Sequence, residues 1–268
     1  MNKIWLIIRK EWREVSRDKM ILFTALLLPI LFVGMTVGTV YFMQRSADDP
    51  AAVAGDASEM NIDQLMLLPE FAGMDPLTIM TILIVNQFLL YYLILPLMIP
   101  MFVAVYSIIG EKQQRTLEPL LATPISVSEL LTGKMLAGVI PAVALTWASY
   151  GLTLLLSYWV ATPQILAAML SPVWLLSMLF LAPLLSVTAV TVGVIISSRV
   201  NDVRLAEQLG GMLVLPLVAV TIPVLMGKLL MSGGMILLAS LVIALLDVAL
   251  LFVGVKLFQR ETILTRWK

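Results

Sequence analysis

The chain of 268 residues has no cysteine and no histidine. Without cysteine there are no disulfides, and the redox compartment leaves no mark on the sequence. Without histidine the chain lacks the commonest general base and metal ligand. With neither residue and no H-E-x-x-H motif, metal-assisted hydrolysis and Cys/His or Ser/His catalysis are unsupported. Charge is scarce as well. Lysine, arginine, aspartate and glutamate make up 13% of the residues, against about 25% in a soluble domain. Hydrophobic residues make up 60%, and the mean hydropathy is +1.01. Such a chain must face something other than water over much of its surface. The length suits a single domain. No cleavable signal peptide is expected, because charges run through Lys19 and no small-residue cleavage site follows the first apolar run.

A helix needs about 20 mostly apolar residues to cross a bilayer, since unpaired backbone groups do not survive in hydrocarbon. Six runs qualify: 20–43, 79–109, 135–160, 173–197, 209–226 and 235–258. The sequence therefore predicts one all-α integral membrane domain over 1–268, with six transmembrane helices. The break between the last two runs rests on Lys228 and the Ser232-Gly233-Gly234 turn signal. Six spans put both termini on one side. That side collects fifteen of the seventeen basic residues, leaving only Arg45 and Lys228 opposite. By the positive-inside rule both termini are cytoplasmic, in a multi-pass protein of the cell membrane. The segment 44–78 is then extracytoplasmic. Between Asp48 and Asp75 it carries seven acids, facing one Arg45. Its part 46–58 reads as a mobile loop, and 62–71 is apolar enough for short helices on the membrane surface.

The N-terminal stretch 1–19 is amphipathic. On a helical wheel Ile4, Trp5, Ile8, Trp12 and Val15 share one face. Lys3, Arg9, Lys10, Arg13 and Glu14 occupy the rest, with Leu6 and Ile7 as exceptions. Two tryptophans on such a face, with basic residues opposite, predict a helix in the headgroup layer.

The loop 110–134 joins the second and third spans. A polar piece from Glu111 to Thr116 gives way to Leu117, Leu120 and Leu121, whose i, i+3, i+4 spacing lines one side of a short helix. Thr123-Pro124 marks a turn. Ser126 and Glu129 then form an S-x-x-E capping box that starts the helix leading into the third span. The leucine stripe either packs back on the bundle or docks into a cytoplasmic partner. The chain has no nucleotide site of its own. Gly133-Lys134 looks like the end of a Walker A loop, but Met135 stands in place of the required Ser or Thr, and Ser128 in place of the leading Gly.

The string Glu111-x-x-x-Arg115-Thr116-Leu117-Glu118-x-Leu120-Leu121-Ala122-Thr123-Pro124-Ile125-Ser126, followed by Gly133-Lys134, resembles the coupling segment of ABC-2 type permeases. The resemblance extends to the basic amphipathic N-terminal helix, the outer loop, the proline-containing second span and the six spans. It points to the sodium- and drug-exporter permeases of the NatB-like kind, with the ABC-2, or type V exporter, fold. In that family two permease chains pair with two separate ATPase subunits, and the loop between spans two and three sits in a cleft of the ATPase. By this resemblance the ATPase-coupling role falls to Glu111, Arg115, Leu117, Glu118, Leu120 and Leu121. The implied partners are ABC ATPase subunits, a second permease chain and the lipid bilayer, with no nucleic acid. ATP and Mg2+ are expected in the partner ATPase and no cofactor in this chain, which is not itself an enzyme. The implied activity is export of a lipid, an amphipathic drug or an ion.

Three polar residues inside the spans are candidates for translocation or gating. Asp247 sits near the middle of the sixth span, where an ionisable group marks function by default; the alternative is a hydrogen bond to a Ser or Thr on a neighbouring helix. Asn86 and Gln87 lie in the outer part of the second span, and either line an outer vestibule or make interhelical contacts. Pro96, Pro100, Pro183, Pro216 and Pro223 interrupt helical hydrogen bonding, while Ser186, Thr188, Thr191 and Gly193 suit close helix packing. The loop 199–207 reads as a solvated turn or as a second ATPase contact. A secondary transporter or channel is the alternative function. Against it, one mid-membrane acid gives a poor ion pathway, and the two halves show no clear inverted repeat. A scaffold that merely anchors an ATPase stays open.

Overall fold

The structure, a computed structural model, describes residues 3–17, 19–45, 66, 68–71, 73–114, 126–225 and 231–257. Its elements are helical. Helix α1 (Lys3–Val15) precedes α2 (Lys19–Arg45), and a short 3-10 turn at Pro69–Phe71 leads to α3 (Pro76–Tyr92) and α4 (Leu95–Gln113). The long α5 (Val127–Ser157) is followed by α6 (Pro163–Met169), α7 (Pro172–Leu176) and α8 (Ala182–Arg199). The chain continues through α9 (Val203–Gly211) and α10 (Leu215–Leu225) to α11 (Gly233–Leu257). Among the described residues, six stretches are long and apolar enough to cross a bilayer.

The hydrophobic pattern explains which stretches are central. In the best apolar window of α3–α4, 78% of residues are buried, against 17% in that of α11. The pair α3–α4 is therefore the middle of the bundle. Helix α11 is apolar all round and leaves Leu238, Leu245, Val248 and Phe252 exposed, as a lipid-facing helix does. Helices α4 and α8 pack extensively in the core, and glycine permits it. A Cβ on Gly193 would meet the Ala104 Cβ at 3.0 Å, so the small residues of α8 serve packing as their composition predicts.

Several boundaries differ from the sequence reading. The second span is two helices, broken at Leu93 and Ile94. Pro96 has no N–H to donate to the Tyr92 carbonyl, and the chain restarts with Leu97 and Met98 bonding to the Ile94 carbonyl. The helix that carries the third span starts at Val127 on the Ser126–Glu129 box, as the sequence predicts. The fourth contains a π-turn at Ser177–Leu181 just before Pro183, a usual way for a helix to absorb a missing donor. The fifth begins with α9 at Val203, so much of 199–207 is helix rather than turn. Asp202 caps it, its Oδ1 accepting from the Leu205 N–H at 3.0 Å.

Helix α1 divides its apolar residues between the bundle and the outside. Its buried residues are Ile7, Ile8 and Glu11, while Trp5 is 51% exposed. Ile7, an exception on the wheel, is buried because it lies against Gly133 of α5. A Cβ at Gly133 would come within 2.9 Å of the Ile7 Cβ. Helix α1 is thus docked on α5 by one face.

Candidate functional site

The frame that holds the segment 115–125 is built where α1, α4 and α5 meet. Of the residues expected to couple to an ATPase, Arg115, Leu117, Glu118, Leu120 and Leu121 lie outside the described residues, and Glu111 lies inside them. Glu111 is the last acid of α4 and is almost fully buried. It therefore turns inward to the bundle and does not stand on an outer docking face, because two lysines draw it there. Lys10 of α1 places its Nζ 2.5 Å from Glu111 Oε1, and Lys134 of α5 places its Nζ 2.8 Å from Glu111 Oε2. Lys134 also lies 2.9 Å from Glu11 Oε1 and donates to the Ser107 hydroxyl. Two ammonium groups and the two buried carboxylates from three helices so close a neutral set, with the exposed Glu14 3.5 Å from Lys10 at its edge.

Buried ions are tolerated only when paired and hydrogen-bonded, and the titration of the α1 groups follows. Burial works to raise the Glu11 pKa. The Lys134 ammonium, the Ser107 hydroxyl and Lys10 outweigh it and hold the carboxyl below its ordinary 4.5. For Lys10 burial works downward, and the hydrogen bond and charge of Glu111, with Glu11 and Glu14, push it above its ordinary 10.5. Trp12 adds a neutral tie, its Nε1 donating to the Ala137 carbonyl at 2.9 Å.

Both ends of the segment are fixed. At its start, Lys112 donates to the Ser197 carbonyl, and Gln113 Nε2 donates to the Asn201 carbonyl at 3.2 Å, which ties α4 to the turn between α8 and α9. At its end, the capping box is formed in full. The Glu129 N–H donates to Ser126 Oγ at 3.2 Å, and the Ser126 N–H donates to Glu129 Oε2 at 2.8 Å. Lys3 of α1 sits 3.8 Å from the same Glu129 carboxylate. Gly133-Lys134 is helix interior here. Its glycine admits Ile7 and its lysine closes the ion cluster, which accounts for the Walker-like pair without a nucleotide.

Sequence reasoning missed Glu11, Ser107 and the pairing role of Lys134. A signal for Glu11 was present: the acid lies between Ile7, Ile8 and Val15 on the apolar face of α1, where an unpaired carboxylate would not be tolerated.

The three candidates within the spans are not brought together. Asp247 is buried on α11, where Thr188 of α8 donates to its Oδ1 at 2.6 Å, and its Oδ2 has no hydrogen-bond partner among the described residues. Asn86 accepts from Trp174 Nε1 at 3.0 Å. That indole stacks on Tyr150 with centroids 5.5 Å apart, so Asn86 belongs to an interhelical aromatic cluster. Gln87 is buried, with both polar side-chain atoms lacking a partner among the described residues. Among the described residues no group of three acids is placed to hold a metal ion.

Comparison with curated proteins gives no match. The family model described as ABC-2 family transporter protein matches residues 5–243, a stretch that contains most of α1, the ion cluster, all of 110–134 and most of the six apolar stretches. With nearly the whole chain covered, this multi-pass membrane protein belongs to the ABC-2 family of transporter proteins.

Proposed function

We propose that the chain is the permease subunit of an ABC exporter, driven by ATP that separate ATPase subunits hydrolyse. Family membership makes it an ABC transporter permease; the direction of transport, the docking residues and a paired second permease are the proposal. The observation that carries it is the frame at both ends of 115–125. An ordinary loop needs no buried ion cluster at its base. A segment that receives a push from a partner does, because displacement reaches the spans only through rigid contacts. Lys134 and Glu111 join α5 to α4, and Lys10 and Glu11 join both to α1, so the three helices move as one. The basic charge around this end of the bundle supports a cytoplasmic location for it, where an ATPase would meet it. Leu117, Leu120 and Leu121 supply the apolar contact, with Arg115 and Glu118 at its rim.

The test is Leu117→Asp combined with Leu121→Asp. Truncating buried interface leucines costs about 1–3 kcal/mol each, and a charge there more. The expected product is a normally inserted permease that retains no ATPase on purification and exports nothing. Normal ATPase retention and export by this variant would overturn the docking assignment.

A further inference from the structure

Between α1, α2, α4, α5 and α9 lies a cleft of about 270 Å3, just under the range for ligand pockets, ~300–1,000 Å3. Leu22 and Leu28 of α2, Ile99 of α4 and Leu145 of α5 form its apolar walls. Glu207 of α9 is the single charged residue in the lining, and Tyr106 of α4 is also there. The cleft has a direction. Tyr106 lies toward the Gln113 end of α4 and Ile99 is seven residues deeper, about 10 Å at 1.5 Å per residue. On α2, Leu22 is in the first turn and Leu28 lies further along the span. The acid and the phenol therefore sit at the end next to α1, and hydrocarbon fills the depth.

Tyr106 lines the cleft with Glu207 and acts on its carboxylate. Arg204, three residues earlier on the same helix, acts on it electrostatically but is exposed. Among the described residues no ion pair within 4 Å closes on Glu207. A carboxylate accepts about four hydrogen bonds, so capacity is left at the mouth of an otherwise apolar cleft. An organic ammonium with an alkyl body complements both parts, and the Tyr106 ring adds a face attractive to cations. An anionic amphiphile meets repulsion at the same point.

We infer that this cleft binds an amphipathic cation, its ammonium at Glu207 and Tyr106 and its alkyl body along Leu28, Ile99 and Leu145. The inference rests on the export-permease reading and deepens it, naming the charge of the substrate and the place where it is taken from the leaflet beside α1.

The experiment places the full-length permease in nanodiscs of an uncharged galactolipid and measures binding of radiolabelled decyltrimethylammonium above empty nanodiscs. Saturable binding is expected, and decyl sulfate does not compete. Glu207→Gln keeps the shape and loses the charge, so binding weakens about tenfold. Ala25→Leu fills the apolar part from α2 and also lowers binding, which reads the site should Glu207→Gln fail to insert. Adding phosphatidylethanolamine separates two sources of the same chemistry: competition identifies a lipid amine as the occupant, and unchanged binding a free amphiphile. Equal binding of decyl sulfate, or wild-type binding by both variants, overturns the inference. No ATPase takes part, so this failure would leave the docking reading standing, and failure of the leucine variant would leave this site standing.

Discussion

Glu11 and Asp247 are both nearly removed from solvent, at 2% and 4% exposure, yet they are met differently. Glu11 faces Lys134 at 2.9 Å and Lys10 at 3.6 Å, within a cluster whose charges cancel. Asp247 has one hydroxyl, from Thr188, on one oxygen. The first arrangement fixes geometry, because removing any member strands an ion. The second leaves an acid with unused acceptor capacity between α8 and α11, which suits a group that changes partner or protonation during a cycle. Burial alone does not separate structure from function; the number and charge of the partners do.

The largest effect expected from breaking this contrast is at Lys134. Lys134→Met leaves Glu11 and Glu111 buried with Lys10 as their one remaining lysine, and breaking a buried pair costs about 3–5 kcal/mol. Unfolding of the purified chain in detergent titrations checks it, and a loss below about 1 kcal/mol would dissolve the distinction. Replacing Glu11, Glu111 and Lys134 together with apolar residues of similar volume should restore much of that loss, since the half-exposed Lys10 keeps Glu14 at 3.5 Å and no fully buried ion is left unpaired. Next is Gly133→Val, which drives a Cβ to within 2.9 Å of the Ile7 Cβ and should cost about 1–3 kcal/mol; Ile7→Ala in the same chain removes the Cγ2 and Cδ1 contacts but keeps the Ile7 Cβ, so it should relieve only part of the loss.

The pH profile sharpens the contrast further. With its pKa held below 4.5, Glu11 stabilises the fold above that value, and the contribution fades as the pH falls through the depressed pKa. Lys10, raised above 10.5, contributes below that value and loses its contribution as the pH climbs toward the raised pKa. The junction should therefore hold steady between 4.5 and 10.5 and loosen outside. Unfolding midpoints across pH test this, with Glu11→Gln expected to flatten the acid side. The smallest change in stability is expected at Asp247→Asn, under about 1 kcal/mol because the amide oxygen still accepts from Thr188. Transport should fall in this normally assembled variant. An unchanged rate would place Asp247 with Asn86 among the packing residues.

What was legible in the sequence depended on range. The Ser126–Glu129 box spans three residues, and its partners are chosen by helix geometry alone, so the pattern predicts the bond. Six apolar stretches were equally plain, since hydrocarbon demands a long uninterrupted run. Pro96 announced an interruption but not that Leu93 and Ile94 would leave the helix, because the same proline can also be absorbed by a π-turn, as happens before Pro183. The ion cluster was least visible. Glu11 and Lys134 stand 123 residues apart, and no local periodicity links them. Asn86 drew attention as a polar group in an apolar run, but its partner Trp174 is 88 residues away, so this interhelical contact emerged only with the fold.

That separation of 123 residues is also an interval of time. Chains emerge at about 5–20 residues per second, so Glu11 leaves the ribosome roughly 6–25 s before the lysine that neutralises it. Glu111 too is made ahead of Lys134. Until the third span is synthesised, α1 has neither Gly133 to rest on nor Lys134 to hold its acid, and it must wait at the membrane surface with its own basic residues as company. The junction therefore forms only after Lys134 has emerged, and a nascent chain stalled before residue 134 would carry an N-terminal helix not yet docked.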